Sequence, residues 1–177
     1  MIHPYWDMAL LRVDDLPTDR MLRLSLKSPE ELLDHNVVVI GYPARDERND
    51  SALQDHIFNK VYNVKRLQPG VIRARAKVQS FENTVNALTH DASTLGGNSG
   101  SAVIEVDTGE VVALHFAGEY LKANYAVPMY ELARDSRVAS RLNFEGNLSP
   151  TNDWAPAWRP VEGTEDSDDT AAPPQVE

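Results

Sequence analysis

Asp91-Ala92-Ser93-Thr94-Leu95-Gly96-Gly97-Asn98-Ser99-Gly100-Ser101 joins small residues, two adjacent glycines and one serine held between backbone-permissive neighbours. Glycines on both sides let the main chain take conformations closed to other residues, and let a substrate carbonyl approach its N–H groups. Ser99 is therefore a candidate nucleophile. Val78 before the stretch and Ala102-Val103-Ile104 after it sling the loop between two strands. That placement excludes a Gly-x-Ser-x-Gly elbow at a strand-to-helix turn, because position 101 is serine and a strand follows.

Working outward, the chain reads as short strands separated by turn signals. Met1 to Val13 enters an apolar strand at once, Leu22-Arg23-Leu24-Ser25-Leu26 alternates at period two, and Val37-Val38-Val39-Ile40 reads as a buried strand ended by Gly41-Tyr42-Pro43. Ser28-Pro29-Glu30-Glu31 has the spacing of a capping box. The polar segment from Arg45 to Asp55 predicts an exposed loop. Further strands are expected at 61–64, 71–78, 102–106, 111–116 and 124–127, with Asp107-Thr108-Gly109 as a hairpin turn. The pattern predicts an all-β, antiparallel barrel or sandwich. Pro128 opens one longer helical pattern, with Met129, Leu132, Ala133, Val138 and Leu142 covering one face. The reading divides the chain into 1–143 and an acidic, Pro-rich tail, 144–177, expected to be disordered, with Trp154 and Trp158 docking back locally.

The 177 residues carry a formal net charge of −10, but eight acidic and one basic residue lie from Phe144 onward, leaving 19 acidic against 16 basic in the body. A chain so balanced has no global electrostatic reason to bind nucleic acid or an anionic membrane. The alternating Arg73, Arg75 and Lys77 read as a solvated strand face. With no cysteine there is neither a disulfide nor a thiolate metal site, and no histidine–carboxylate spacing points to a metal, so no cofactor is expected. The first residues lack a basic segment followed by an apolar core, and no run is long enough to span a bilayer, which leaves the compartment open.

Three ordered stretches resemble the trypsin-like serine peptidases, most of all the cysteine-free bacterial branch that includes glutamyl endopeptidases. Ser93 to Ser101 resembles the nucleophile loop, Asp7-Met8-Ala9-Leu10-Leu11 the strand bearing the catalytic Asp, and Gly41-Tyr42-Pro43 the turn opening a long loop of the second barrel. Val112-Ala113-Leu114-His115-Phe116-Ala117-Gly118 further resembles the edge strand that pairs with bound peptide. The resemblance covers roughly residues 1–142. It implies the second β-barrel of that fold with the first barrel incomplete, followed by a C-terminal helix. It also implies Ser99 as nucleophile, Asp7 as the carboxylate orienting a histidine, Gly97 and Ser99 N–H groups as the oxyanion hole, and a peptide or protein substrate. Thr94 and His115 match residues that meet an acidic side chain before the scissile bond, implying glutamate preference.

Read by themselves, Asp7 could be a strand-start cap, Ser99 a turn serine and His115 a strand histidine satisfied by the backbone. The catalytic histidine is implied upstream of Asp7, where only six residues stand; His3 and His90 fit the role poorly, and His35 and His56 read as surface residues. Function is expected to be that of a serine endopeptidase, as a fragment or truncated form poorly active alone. The alternatives are a pseudoprotease that binds peptide and one subunit of a split enzyme.

Overall fold

The structure, a computed structural model, describes residues 1–17, 21–144 and 146–162. Six strands carry the fold: β1 (Asn36–Gly41), β2 (Arg66–Ser80), β3 (Asn83–His90), β4 (Ala102–Glu105), β5 (Val111–Glu119) and β6 (Ala123–Pro128). All neighbours are antiparallel, and the order β1-β2-β3-β6-β5-β4 closes on itself because β4 returns to β1, with Val38 opposite Ile104. The expected all-β architecture stands. Closure leaves no open sheet edge at the barrel waist, and successive residues point to opposite faces. Tyr125 and Val127 therefore join one apolar cluster with Trp6, Met8, Leu132, Trp154 and Trp158, while Ala126 joins the other with Val37, Val39, Ile72, Leu88 and Val103.

Several expected elements differ. Residues 1–13 form no strand; Ile2 pairs with Ala9 alone, and the Met8 N–H turns back to the Trp6 carbonyl at 2.7 Å in a γ-turn centred on Asp7. Leu24 makes only isolated bridges, to Val111 and Phe144. The capping box at Ser28 forms both reciprocal bonds, Ser28 N–H to Glu31 Oε2 at 2.8 Å and Glu31 N–H to Ser28 Oγ at 3.3 Å, yet closes only a turn. The polar loop contains a helix, α1 (Ser51–Phe58), capped by the Asp50 carboxylate on Leu53 N–H, with Gln54 and Phe58 buried. Residues 61–64 are not a strand: Asn59, Lys60 and Asn63 all take left-handed φ values, which break an extended run. β3 was not expected.

The helix after Pro128 breaks into α2 (Met129–Arg134) and α3 (Ser136–Ala139) because Asp135 is extended and caps α3 through Arg137 N–H at 3.0 Å. The expectation of disorder from Phe144 fails over 146–162: α4 (Ala155–Glu162) buries Trp154 and Trp158 against the barrel, while 163–177 lie outside the described residues.

A buried hub joins these terminal segments. His3 Nδ1 accepts the N–H groups of Tyr5 and Trp6, both at 3.1 Å, which leaves Nε2–H to donate to Asp135 Oδ2 at 3.2 Å. Trp158 Nε1–H donates to the same oxygen at 2.8 Å, and the Arg137 guanidinium lies 5.2 Å from its ring centroid. Truncating Trp158 to Ala opens a cavity in this hub and is expected to cost about 3–5 kcal/mol in urea unfolding. An unchanged midpoint would show that α4 adds nothing to the barrel's stability.

Candidate active site

The quoted stretch folds as two consecutive β-turns. Asn98 N–H reaches Leu95 O at 3.2 Å, and Ser101 N–H reaches Asn98 O at 3.0 Å. Each turn has a glycine at its third position, Gly97 with φ +88° and Gly100 with φ +83°, a conformation L-residues adopt rarely. Ser99 stands at the second position of the second turn, exposed, with Oγ donating to Phe116 O at 3.1 Å.

The loop's N–H groups are divided between spent and unspent. Gly96 donates to Asp46 Oδ2 at 3.2 Å, Asn98 to Leu95, Gly100 to His115 O at 2.8 Å and Ser101 to Asn98. Among the described residues no acceptor meets the N–H of Gly97 or of Ser99. Two donors beside an exposed hydroxyl are what stabilisation of a developing oxyanion requires, each typically contributing about 3–4 kcal/mol in a transition state.

Residues distant in sequence hold this loop. Asn98 is wholly buried; its Oδ1 accepts Gln68 Nε2–H at 2.9 Å and its Nδ2–H donates to Leu95 O at 3.0 Å. Gly41 permits the close approach, since a Cβ there would collide with the Asn98 and Ser101 side chains. The Gly96 peptide is gripped from both sides, by Asp46 on its N–H and by Ala44 N–H on its O at 2.8 Å. Asp46 is fixed in turn by Gln54 of α1, which bonds its backbone N–H at 3.1 Å and carbonyl at 2.9 Å. The Arg48 guanidinium forks onto the Asp46 carboxylate at 2.8 and 2.5 Å and holds its pKa down at about 2, so the grip on Gly96 persists into acid.

Beside Ser99 lies a cavity of about 660 Å³, walled by α1, the tandem-turn loop and the β5–β6 hairpin. Thr94, His115, Phe116 and Gly118 line it, with Leu53 and Ile57 of α1. The structure thus brings Ser99, Thr94 and His115 to one cavity, with Gly97 in the turn just before Ser99. Asp7 is not among the lining residues. Its neighbour Tyr5 bonds Thr84 O at 3.1 Å, and about 20 Å of strand at 3.3 Å per residue separates Thr84 from His90 at the loop end of β3. No hydrogen bond joins Asp7 to Ser99 or to a histidine among the described residues, and burial pushes its carboxyl pKa up.

The histidines are otherwise engaged. His3 spends both ring nitrogens in the terminal hub. His35, read as a surface residue, bonds the wholly buried Glu105 at 2.5 Å, and His56 is exposed on α1. Burial opposes ionisation of Glu105, but Lys27, Thr108 and His35 hold its pKa at about 2. His90 lies behind His115, Nε2 to Nδ1 at 3.1 Å. Among the described residues no group of three or more His, Asp or Glu side chains is placed to hold a metal ion.

Burial lowers the pKa of His115 to about 4 and, helped by the neighbouring His115, that of His90 to about 3. Unfolded, both titrate near 6.5, so between those values the unfolded chain binds more protons. Their contribution to stability is complete above pH 6.5 and is lost as pH falls toward 4 and then 3. Unfolding titrations should show stability falling below pH 6.5 by about 1 kcal/mol per pH unit for each histidine, and His90→Gln should flatten the slope. A slope unchanged in that variant would place the protons elsewhere.

The sequence carries no local sign that Asp46, Gln54, Gln68 and Asn124 belong to the site, and His90, directly before Asp91, stands out only as a poor candidate base and not as the partner of His115.

Comparison with known proteins places the chain in a family. A probable serine protease of Lysobacter enzymogenes is 30% identical over 139 residues, covering 68% of this chain and 35% of the relative. The chain thus spans about a third of that curated protein's length. Among solved structures, the inactive form of the Rv3671c protease of M. tuberculosis superposes with a TM-score of 0.50 at 20% identity, covering 71% of this chain and 57% of that one, a likeness of fold. The family described as the trypsin-like peptidase domain matches residues 2–114, more than half of the sequence and all of the tandem-turn loop, and the chain belongs to that family.

Proposed function

We propose that this chain supplies the nucleophile and the substrate cleft of a serine endopeptidase. Ser99 Oγ attacks the carbonyl of a peptide bond and passes its proton to a histidine. The N–H groups of Gly97 and Ser99 hold the oxyanion, and the histidine then protonates the departing amine as the C–N bond breaks. Water releases the acyl group by the same steps in reverse order. The histidine, with the carboxylate that orients it, comes from a further segment of the protein or from a second subunit, since Asp7 lies away from the Ser99 cavity.

The substrate lies extended along β5. Pairing with β4 ends at Leu114, while β5 runs on to Glu119, so the Phe116–Gly118 backbone offers an edge for strand addition beside Ser99. The side chain before the scissile bond then enters between Thr94 and His115. The observation that carries this reading is the pair of unspent N–H groups flanking the exposed Ser99 hydroxyl. The test is complementation: the chain mixed with a first-barrel segment bearing the histidine should hydrolyse a fluorogenic peptide library, and the same mixture made with Ser99→Ala should not. Hydrolysis by the Ser99→Ala mixture would overturn the assignment.

One observation favours a second reading, a peptide-binding module without turnover. His3, His35 and His90 are bound to Asp135, Glu105 and His115, and none meets Ser99. That reading expects no hydrolysis under any complementation and equal peptide affinity for the native chain and Ser99→Ala.

A further inference from the structure

The pocket between Thr94 and His115 has a fixed hydrogen-bond polarity. Asn124 sets one half of it. Its Nδ2 donates to Ala92 O at 2.7 Å and to His90 O at 3.3 Å, so its Oδ1 must face Thr94. Thr94 Oγ1 lies 2.5 Å from that oxygen and commits its single proton to it. Thr94 therefore presents lone pairs, and no proton, to the cavity it lines.

His90 sets the other half. Its Nδ1 is buried with no partner among the described residues. A proton there would be an orphaned buried N–H, the costlier way to leave that atom, so the proton sits on Nε2 and is donated to His115 Nδ1. His115 then carries its own proton on Nε2, which has no partner among the described residues and belongs to a residue lining the cavity. Gly118 keeps the pair open, since a Cβ there would sit 2.6 Å from Asn124 Oδ1.

We infer that the pocket selects a primary carboxamide side chain, that of glutamine, over a carboxylate, with Asn124 and His90 as the residues that determine the choice. The carboxamide oxygen accepts from His115 Nε2–H, and its NH2 donates to Thr94 Oγ1. A carboxylate would place oxygens against both, with one donor for them and a lone pair opposing. The low pKa of His115 agrees, because a neutral ring does not balance a buried anion. The inference builds on the proposed substrate cleft and replaces the glutamate preference that the family resemblance implies.

The test uses the whole chain and short peptides ending in Gln, Glu or Met, identical otherwise, titrated calorimetrically at pH 7 and followed by amide NMR shifts. Gln should bind at least tenfold tighter than Glu or Met. Thr94→Val should bring Gln to within about threefold of Met, and Thr94→Ser, which keeps the oxygen, should preserve the advantage. In the free chain, imidazole 15N spectra should show the proton of His115 on Nε2. Glu binding as tightly as Gln, an unchanged Gln advantage in Thr94→Val, or an Nδ1-protonated His115 would overturn the inference. Equal binding of all three peptides with shifts confined to Phe116–Gly118 overturns it while sparing the cleft, and no binding at all overturns both.

Discussion

Ser99→Ala should lower turnover by the histidine-complemented protein by about a million-fold, with peptide affinity within a factor of about two of the native chain. Ser99 is exposed at the second position of a turn, and its Oγ bonds only Phe116 O among the described residues, so removing Oγ takes away the proposed nucleophile without loosening the loop. The turn's stability comes from Asn98, Gly96 and Ser101, which the substitution leaves in place. The result is read as kcat from progress curves and Kd from titration of uncleaved peptide. A loss of a factor of ten or less would mean that another group attacks.

Gly97→Ala should cost about 100- to 1,000-fold in kcat with little change in KM, the scale of one lost oxyanion donor. Two effects coincide at this residue. Its φ of +88° disfavours any side chain, and a Cβ would lie 2.7 Å from Tyr42 O and 3.2 Å from Ala44 N, both backbone atoms that cannot swing aside. The turn must then rotate, which carries the Gly97 N–H away from its neighbour at Ser99. Gly100→Ala provides the contrast: φ is similar at +83°, but nothing lies within 4 Å of a Cβ. It should lose far less activity. Equal losses in the two variants would show that backbone strain alone, and not the Tyr42 contact, holds the donors in place.

The buried strands were legible because their residues are apolar on both faces, as in Val37-Val38-Val39-Ile40, or sit next to an unambiguous turn such as Asp107-Thr108-Gly109. β3 escaped because Asn83, Thr84, Asn86 and Thr89 break up Val85, Ala87 and Leu88, and its apolar positions find partners only in β2 and β6. Residues 61–64 mislead for the opposite reason: Val61 and Val64 suggest a strand that the left-handed Asn63 does not permit. The segment of 1–13 reads as a strand from local apolarity, yet His3 draws the N–H groups of Tyr5 and Trp6 onto one ring nitrogen and bends the chain into a turn.

At the site, Ser99 and the two glycines were legible because a turn with positive φ demands glycine and little else, a requirement written locally. The supports were not. Gln68 with Asn98, Asp46 with Gly96 and Thr94 with Asn124 are partners 30 to 50 residues apart. Polar residues at such separations carry no periodicity that marks them, and only barrel closure brings them together. The same holds for His90 behind His115, 25 residues away, where burial turns two ordinary strand histidines into a neutral pair.

The central claim is that Ser99 is the nucleophile, and covalent capture tests it most directly. Protein carrying this chain, isolated from its native source in its assembled form, is treated with a fluorophosphonate and mapped by peptide mass spectrometry. The account predicts one phosphonyl adduct, on Ser99, which disappears in Ser99→Ala and weakens in Gly97→Ala. A folded, peptide-hydrolysing protein that carries no adduct, or carries it on another residue, would contradict it.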